Sequence, residues 1–378
     1  MSSDLDKIPE INFVPKTVEE IQSSMIAAYE QEYKNQTGQE ISLPASSRER
    51  IMINTETAFI YQAYQLIDYG NKMNLLKYST GDYLDNLVAM LGVTRLQPQK
   101  AISRVRFTLS EAQQSNITIP AGTRVSTANQ LFFETSAECT ISAGQLTAEC
   151  DVVCTESGTA GNDCALGQIN IIVDPVAFVS KVENIEVSQG GTDTESDDSL
   201  RLRAFLKPQS FSVAGPEKAY EYFVREYSQA IEGVKVSIPT PGTVDIRITL
   251  TGATLPTETF TEAVKASLVD KRPMTDNLTI QAPALVEYAV SGTYYISSAD
   301  AKMEETIKSQ VESALQNYIK WQSEKIGRDI TPDKLISLVN VAGAKRLVLT
   351  TPVYTAVNKQ SIAKNTAATL TYGGLEDE

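Results

Sequence analysis

Histidine is missing altogether: the 378 residues include 0 His. That removes histidine-dependent triads, imidazole metal ligands and imidazole proton relays together. Basic residues are in the minority, with Lys+Arg 33 against Asp+Glu 47 and a formal net charge of -14. A chain this acidic is a poor general binder of nucleic acid or of an anionic membrane, because phosphate attraction needs clustered Lys and Arg. No apolar run approaches the roughly 20 residues that a membrane helix requires. The first residues, Met1-Ser-Ser-Asp-Leu-Asp, carry acids where a secretion signal carries bases and an apolar core. Synthesis in the cytoplasm is therefore expected. Tryptophan occurs once, at Trp321 in a helical stripe, so a sugar-binding platform of exposed aromatics is not expected. No serine sits in a G-x-S-x-G elbow. No carboxylate pair lies in an apolar setting that would raise one of the two pKa values. The expectation is a protein with no catalytic site, no metal and no cofactor.

Cysteine is scarce as well: Cys139, Cys150, Cys154 and Cys164. Their spacings match none of the short C-x-x-C pairs of zinc sites. Cys150, Val152 and Cys154 share one face of a strand. The plain reading is buried, reduced cysteines. A metal site using all four and a disulfide are the alternatives, the latter disfavoured by a reducing site of synthesis.

What is present is ordered. Hydrophobic content of 42% and charged content of 21% suit a folded chain with a sizeable core. The length allows several domains of roughly 100–200 residues each. Residues 1–16, with Pro9 and Pro15, read as an extended arm. Thr17-Val-Glu-Glu20 is a capping box that opens a helix with Val18, Ile21, Met25 and Ala28 on one stripe, ended near Gly38. Ser46-Ser-Arg-Glu49 is a second capping box, and nothing interrupts the following helix before Gly70. Its apolar residues, among them Ile51, Phe59, Tyr64 and Ile67, spread over more than one face. A helix apolar on several faces must bury several faces, against its own chain or a partner. A third helix, Tyr83 to Leu91, stops at Gly92.

The period then changes from helical to two. Val105, Phe107 and Leu109 alternate with Arg104, Arg106 and Thr108. Pro120-Ala-Gly122 is a turn between Ile117–Ile119 and Thr123–Ser126. Gly158-Thr-Ala-Gly-Asn162 lacks the endings of phosphate loops and reads as a glycine-supported turn. Gly190-Gly191 precedes Asp193, Glu195, Asp197 and Asp198. These acids do not follow the order of a calcium loop and instead suit the start of a helix through Phe205. Beyond them, Val213 to Lys218 opens a helix, and residues 234–250 read as a hairpin. Helices follow from Thr259, Ala301 and Thr331, with strands over 278–296 and from Arg346. Residues 357–372 resemble a late edge strand, and 373–378 a loose acidic tail. The expected fold class is α+β and multidomain: an N-terminal helical region over 1–93, a β domain over 94–186, and a C-terminal α+β part over 187–378.

The order of these segments carries a resemblance. Gly-Asp-Tyr-Leu-Asp-Asn-Leu (81–87), Leu-Gly-Val-Thr-Arg (91–95), Ile-Thr-Ile-Pro-Ala-Gly-Thr-Arg (117–124), the 158–169 turn region and Gly190 to Arg203 together resemble the baseplate J family. These are wedge proteins of contractile phage tails. The resemblance implies a structural subunit of a virion tail baseplate, or of a related contractile injection system, assembled in the bacterial host cytoplasm. It implies pairing with itself into a ring around the central hub and spike proteins. It also implies contact, through the helices, with a smaller wedge subunit similar to tail protein I, and with a sheath-initiating lysozyme-like wedge protein. The ring would open on contraction. A tail-associated cell-wall hydrolase or carbohydrate-binding β module is the alternative.

Two sets of residues follow as candidates. Ile51, Phe59, Tyr64 and Ile67 are expected at a helical interface, and Gly190 and Gly191 at a hinge. If the glycines are a hinge, replacing them with proline or valine impairs contraction and leaves folding largely intact, as read by particle contraction and by the unfolding curve of the purified variant.

Overall fold

The computed structural model describes residues 7–211, 215–273 and 275–377. Residues 1–6 of the expected arm, Val213 and Ala214 of the expected helix opening, and Glu378 lie outside them. The chain divides into two compact units, Ser2–Thr94 and Arg95–Glu378.

The first unit is helical. α1 (Val18–Thr37) begins with the expected capping box: the Thr17 hydroxyl accepts from the Glu20 amide, and the Glu20 carboxylate accepts from the Thr17 amide. Gly38, at φ 71°, ends it. α2 (Arg48–Lys72) is capped by Ser47, whose hydroxyl accepts from the Arg50 amide, so the box expected at Ser46 and Glu49 does not form. α2 also runs through Gly70. α3 (Gly81–Ala89) follows, and Gly92 turns left-handed beyond it. The arm is fastened rather than loose. Ile11 donates its amide to the Tyr78 hydroxyl, Phe13 donates to Asp68, and Lys77 binds both the Ile8 carbonyl and the Glu10 carboxylate. The covered apolar side chains are Ile21 in α1, Ile53 in α2, Leu84 and Val88 in α3, and Leu43, Met73 and Val93 in the connections.

The second unit holds three cores in chain order. The first lies inside a six-stranded antiparallel sheet. Its strands are β1 (Lys100–Leu109), β3 (Arg124–Thr127), β4 (Phe132–Thr135), β6 (Thr147–Ser157), β7 (Ile169–Ile172) and β8 (Val179–Asn184), in the order β7-β3-β4-β6-β1-β8. The end strands β7 and β8 meet, so the sheet curls around its contents. The alternation read from sequence is realised: Val105, Phe107 and Leu109 are buried with Val125, Phe133 and Val152. β2 (Ile117–Ile119) and β5 (Cys139–Ile141) form a separate two-stranded ribbon. β5 carries Cys139 to within 6.0 Å (Cα to Cα) of Cys150 on β6, and the two form a disulfide. This corrects the reading of four reduced cysteines: only Cys154 and Cys164 are free, and both are buried. The correction depends on where a ribbon far from β6 in pairing terms happens to lie, which spacing does not encode.

After α4 (Asp197–Leu206) and α5 (Glu217–Tyr227) comes a three-stranded sheet of β9 (Ile231–Thr240), β10 (Thr243–Leu250) and β11 (Asn277–Gln281), with β10 central. β9 and β10 are the expected hairpin. α6 (Glu258–Ser267) is the crossover that makes β11 parallel to β10. Tyr220 and Val224 of α5, with Phe260 and Val264 of α6, cover Ile246 and Ile248. The last core lies between α7 (Glu304–Ser323) and α8 (Pro332–Val341) and a second three-stranded sheet, ordered β13-β12-β14. β12 spans Ala284–Ser297, β13 Arg346–Thr351 and β14 Ser361–Glu376. Trp321 belongs to this part. It stacks on Tyr318 and is covered by the Arg328 guanidinium 4.0 Å from the ring centroid, so it offers no sugar platform. The 373–376 stretch, expected to be loose, is the end of β14. Gly373 fits there because a side chain would strike Tyr295 and Thr293.

One surface pair ties β3 to the segment after β7. Arg124 donates two guanidinium bonds and its amide to Asp174, holding that carboxyl down at about 2. A carboxyl depressed by folding stabilises the fold above its ordinary range near 4 and stops doing so as pH falls through its folded value. D174N is therefore expected to lower the thermal midpoint slightly at neutral pH and to match wild type near pH 2, measured by circular dichroism melts across that range.

Candidate functional site

Two features of the molecule are available for function: an uncovered helical face in the first unit, and a polar crossing in the second. On α2, Ile53 and Thr57 face α1, where the Thr57 hydroxyl meets the Met25 sulfur and Gln22 binds Asn54. Met52, Phe59 and Leu66 recur every second turn on a different face, and are 55%, 66% and 70% exposed. Of the residues expected at an interface, Phe59 lies on that stripe and Ile67 and Ile51 flank it, all three exposed. Tyr64 is half-buried and repeats the position of Thr57 two turns on, so it sits on the α1 side. Met52 and Leu66 are equally strong candidates. The seven-residue recurrence with Phe59 was visible in the sequence, but nothing there told which of α2's apolar stripes the chain itself would cover.

In the second unit, the segment from Ser188 to Arg203 crosses from the curled sheet to the central one. Its centre is an ion pair between Glu195 and Arg203, with side chains 0% and 3% exposed. The Arg203 guanidinium donates to both carboxylate oxygens, at 2.7 and 2.6 Å. Ser199 donates its hydroxyl to one oxygen, and the Leu96 amide donates to the other. A buried charge is tolerated only when its lone pairs are filled, and here they are. Arg95 adds bonds to the Glu195 carbonyl and to Asp197.

Gly190 and Gly191 lie just before this pair and are buried. Gln189 pairs with Ile102 of β1 through both backbone groups, and Thr192 pairs with Gln99 in the same way. The Gln189 side chain reaches the other way, donating to the Leu255 carbonyl and accepting from the Thr257 amide. Asn162 exchanges two bonds with the Gly191 backbone. The glycines answer to close approach. Gly190, at φ 87°, lies under the Phe260 ring, and a Cβ on Gly191 would sit 2.3 Å from the Gly158 carbonyl oxygen. The expectation that valine here leaves folding intact is therefore corrected. The sequence showed the Gly-Gly pair but not the distant backbone against which it is pressed.

A cavity of about 630 Å³ opens beside the crossing, lined by Asn162, Asp163, Asp193, Ser199, Gln229 and Thr251 among others. Its lining mixes hydroxyl, amide and carboxylate groups with the apolar Ala230 and Leu250. Among the described residues no group of three or more Cys, Asp or Glu is placed to hold a metal ion. Burial pushes the Tyr318 hydroxyl up to about 12, and burial also raises the Cys154 thiol. Among the described residues, no helix is long and apolar enough to cross a membrane.

Comparison with known proteins fits these parts to one family. Three of its domain descriptions match in succession: the baseplate J-like protein barrel domain over 104–191, the baseplate J-like central domain over 212–282, and the baseplate J-like protein C-terminal domain over 288–371. These correspond to the curled sheet, the β9–β11 sheet and the β12–β14 sheet. The chain belongs to the baseplate J-like family, and so to the structural components of baseplates. It is similar to baseplate protein J of Escherichia phage P2, 30% identical over 42% of this chain and 53% of that protein. It is also similar to the phage-like element PBSX protein XkdT of Bacillus subtilis (strain 168), 27% identical over 64% of this chain and 66% of that one. The matched part thus spans between about half and two thirds of these relatives' own length. A chain in the cryo-EM structure of the anti-feeding prophage baseplate aligns over 96% of both chains, at 12% identity and a TM-score of 0.38, too distant to argue from.

The crossing generates a direct test. Removing one partner of a buried ion pair leaves the other uncompensated, a cost of about 3–5 kcal/mol. R203M and E195Q are each expected to lower unfolding stability by roughly that amount, and G191V to be comparably damaging, measured by denaturant titration of the full chain. Wild-type midpoints for G191V would reinstate a free, uncrowded glycine pair.

Proposed function

We propose that the chain is a structural wedge subunit of the baseplate of a contractile tail or related injection system, and that it has no catalytic site. In this reading copies associate into a ring around the central hub and spike proteins. The N-terminal helices dock a smaller wedge subunit similar to tail protein I, a sheath-initiating lysozyme-like wedge protein sits close by, and the ring opens when the sheath contracts. Assembly takes place in the host cytoplasm. The baseplate setting follows from the family; the wedge position, ring and partners are the proposal.

One observation supports it above the others. Met52, Phe59 and Leu66 recur every second turn on one side of α2, and each stays more than half exposed among the described residues. Isolated exposed apolar side chains are ordinary on a protein surface, but an aligned series on one helix face is the pattern by which helices pack on helices. The rest of the reading follows from the same economy: this unit buries little of its own, and gains most from a partner helix.

The test is incorporation. F59D/L66D places two carboxylates on the exposed stripe without touching Ile53 or Thr57. It is expected to reduce incorporation into assembled particles about tenfold or more, while the melting transition of the purified chain stays where it was. Normal incorporation would remove α2 from the interface. Loss of the melting transition would assign Phe59 and Leu66 to the chain's own packing.

A further inference from the structure

We propose that the outer edge of β14 is a pairing edge, at which a second copy of this chain adds its own β14 antiparallel and joins two three-stranded sheets into one. The inference rests on the reading of the chain as self-associating and names the surface used. β14 ends its sheet: β12 lies on one side, and among the described residues no strand lies on the other. A free edge presents a row of unpaired amides and carbonyls, and folded proteins usually guard such edges with charge, proline or brevity. β14 has none of these over its working length. It runs from Ser361 to Glu376, and from Asn365 to Leu375 the sequence is Asn-Thr-Ala-Ala-Thr-Leu-Thr-Tyr-Gly-Gly-Leu, with no charge and no proline.

The occupant is a second copy because the edge is complementary to itself. Lys364 and Glu376, which bound the uncharged stretch, lie at equal distances on either side of Leu370. A two-fold axis at Leu370 therefore sets each Lys364 opposite the second copy's Glu376. Both side chains belong to one face of the sheet. Lys364 is opposite the exposed Glu287 of β12, and Glu376 is held on the same side by Arg346, which reaches it across the Tyr295 ring. Antiparallel partners must share a face, so this register satisfies the pleat as well as the charge.

The irregularities of β14 obey the same symmetry. Its pairing with β12 slips between Tyr288 and Ala289, where Thr366 is the extra residue, and again beyond Tyr294, in the Gly373-Gly374 step. Gly374, at φ 107°, has open space where a side chain would be. Thr366 and Gly374 are equidistant from Leu370. Bulges ordinarily turn an edge away from a partner, but two that face each other across a two-fold axis cancel and keep the register. Between them Thr369 stands opposite the second copy's Thr371, both on the exposed face.

Sedimentation of the full-length chain over a concentration series tests this. Wild type is expected to dimerise. T369D/T371D puts carboxylate against carboxylate twice and should raise the dissociation constant about tenfold or more. T369K/T371D puts ammonium against carboxylate and should restore the dimer. Unchanged melting of both variants shows that neither acts through the fold. A wild-type chain that is monomeric throughout, or a T369D/T371D dimer as tight as wild type, overturns the edge. In the second case, release of that dimer by F59D/L66D would leave the self-association reading standing on α2 alone.

Discussion

The second unit depends on one carboxylate. Glu195 is fully enclosed, and the hydrogen bonds its carboxylate accepts come from two stretches: Ser199 and Arg203 of α4, and Leu96 in the segment leading into β1. An enclosed charge with unfilled lone pairs is strongly unfavourable, so these groups are held to one arrangement or the fold loses the site altogether. With position 195 fixed, the preceding segment must lie flat across β1, and only glycine fits beneath Phe260 and against Gly158. The curled sheet and the central sheet are joined by a crossing that is bonded on both sides, and the cavity beside it is the space that remains once the crossing is in place.

The helical unit is built on the opposite principle. α1 and α2 are capped and long, and the arm is fastened at several points, yet much apolar surface on α2 stays exposed. Most helical stability in proteins comes from packing an apolar face. If α2 is covered by a partner as proposed, the stability of this unit is tied to association, and so to concentration.

The sequence disclosed most of what is decided locally, although the α2 cap moved to Ser47 and Gly70 did not end that helix. The β1 alternation, the Thr17 and Glu20 cap and the 234–250 hairpin each depend on neighbours a few residues away, and each was legible. What escaped depended on distant segments. Gly190-Gly191 reads alike whether the backbone needs freedom or closeness, and the deciding atoms belong to Gly158 and Phe260. Cys139 and Cys150 join because a short ribbon lies against β6, which no spacing rule contains. Gly373-Gly374 looked like the start of a loose tail, yet a glycine is what the Tyr295 ring requires. The surplus of apolar faces on α2 was readable; which of them stays open, and that Tyr64 is not among the open ones, was not.

The position of β1 bears on how the polypeptide matures. Within its sheet it is the first strand made, yet its neighbours are β6 and β8, the latter ending at Asn184. The curled sheet cannot shut until some eighty further residues have left the ribosome, and the Arg203 that seals Glu195 emerges later still. Through that interval β1 waits with Arg104 and Arg106 on its outward side, a built-in repellent against premature partners. Chain order thus sets the order of synthesis: the ribbon strands, then β8, then Arg203.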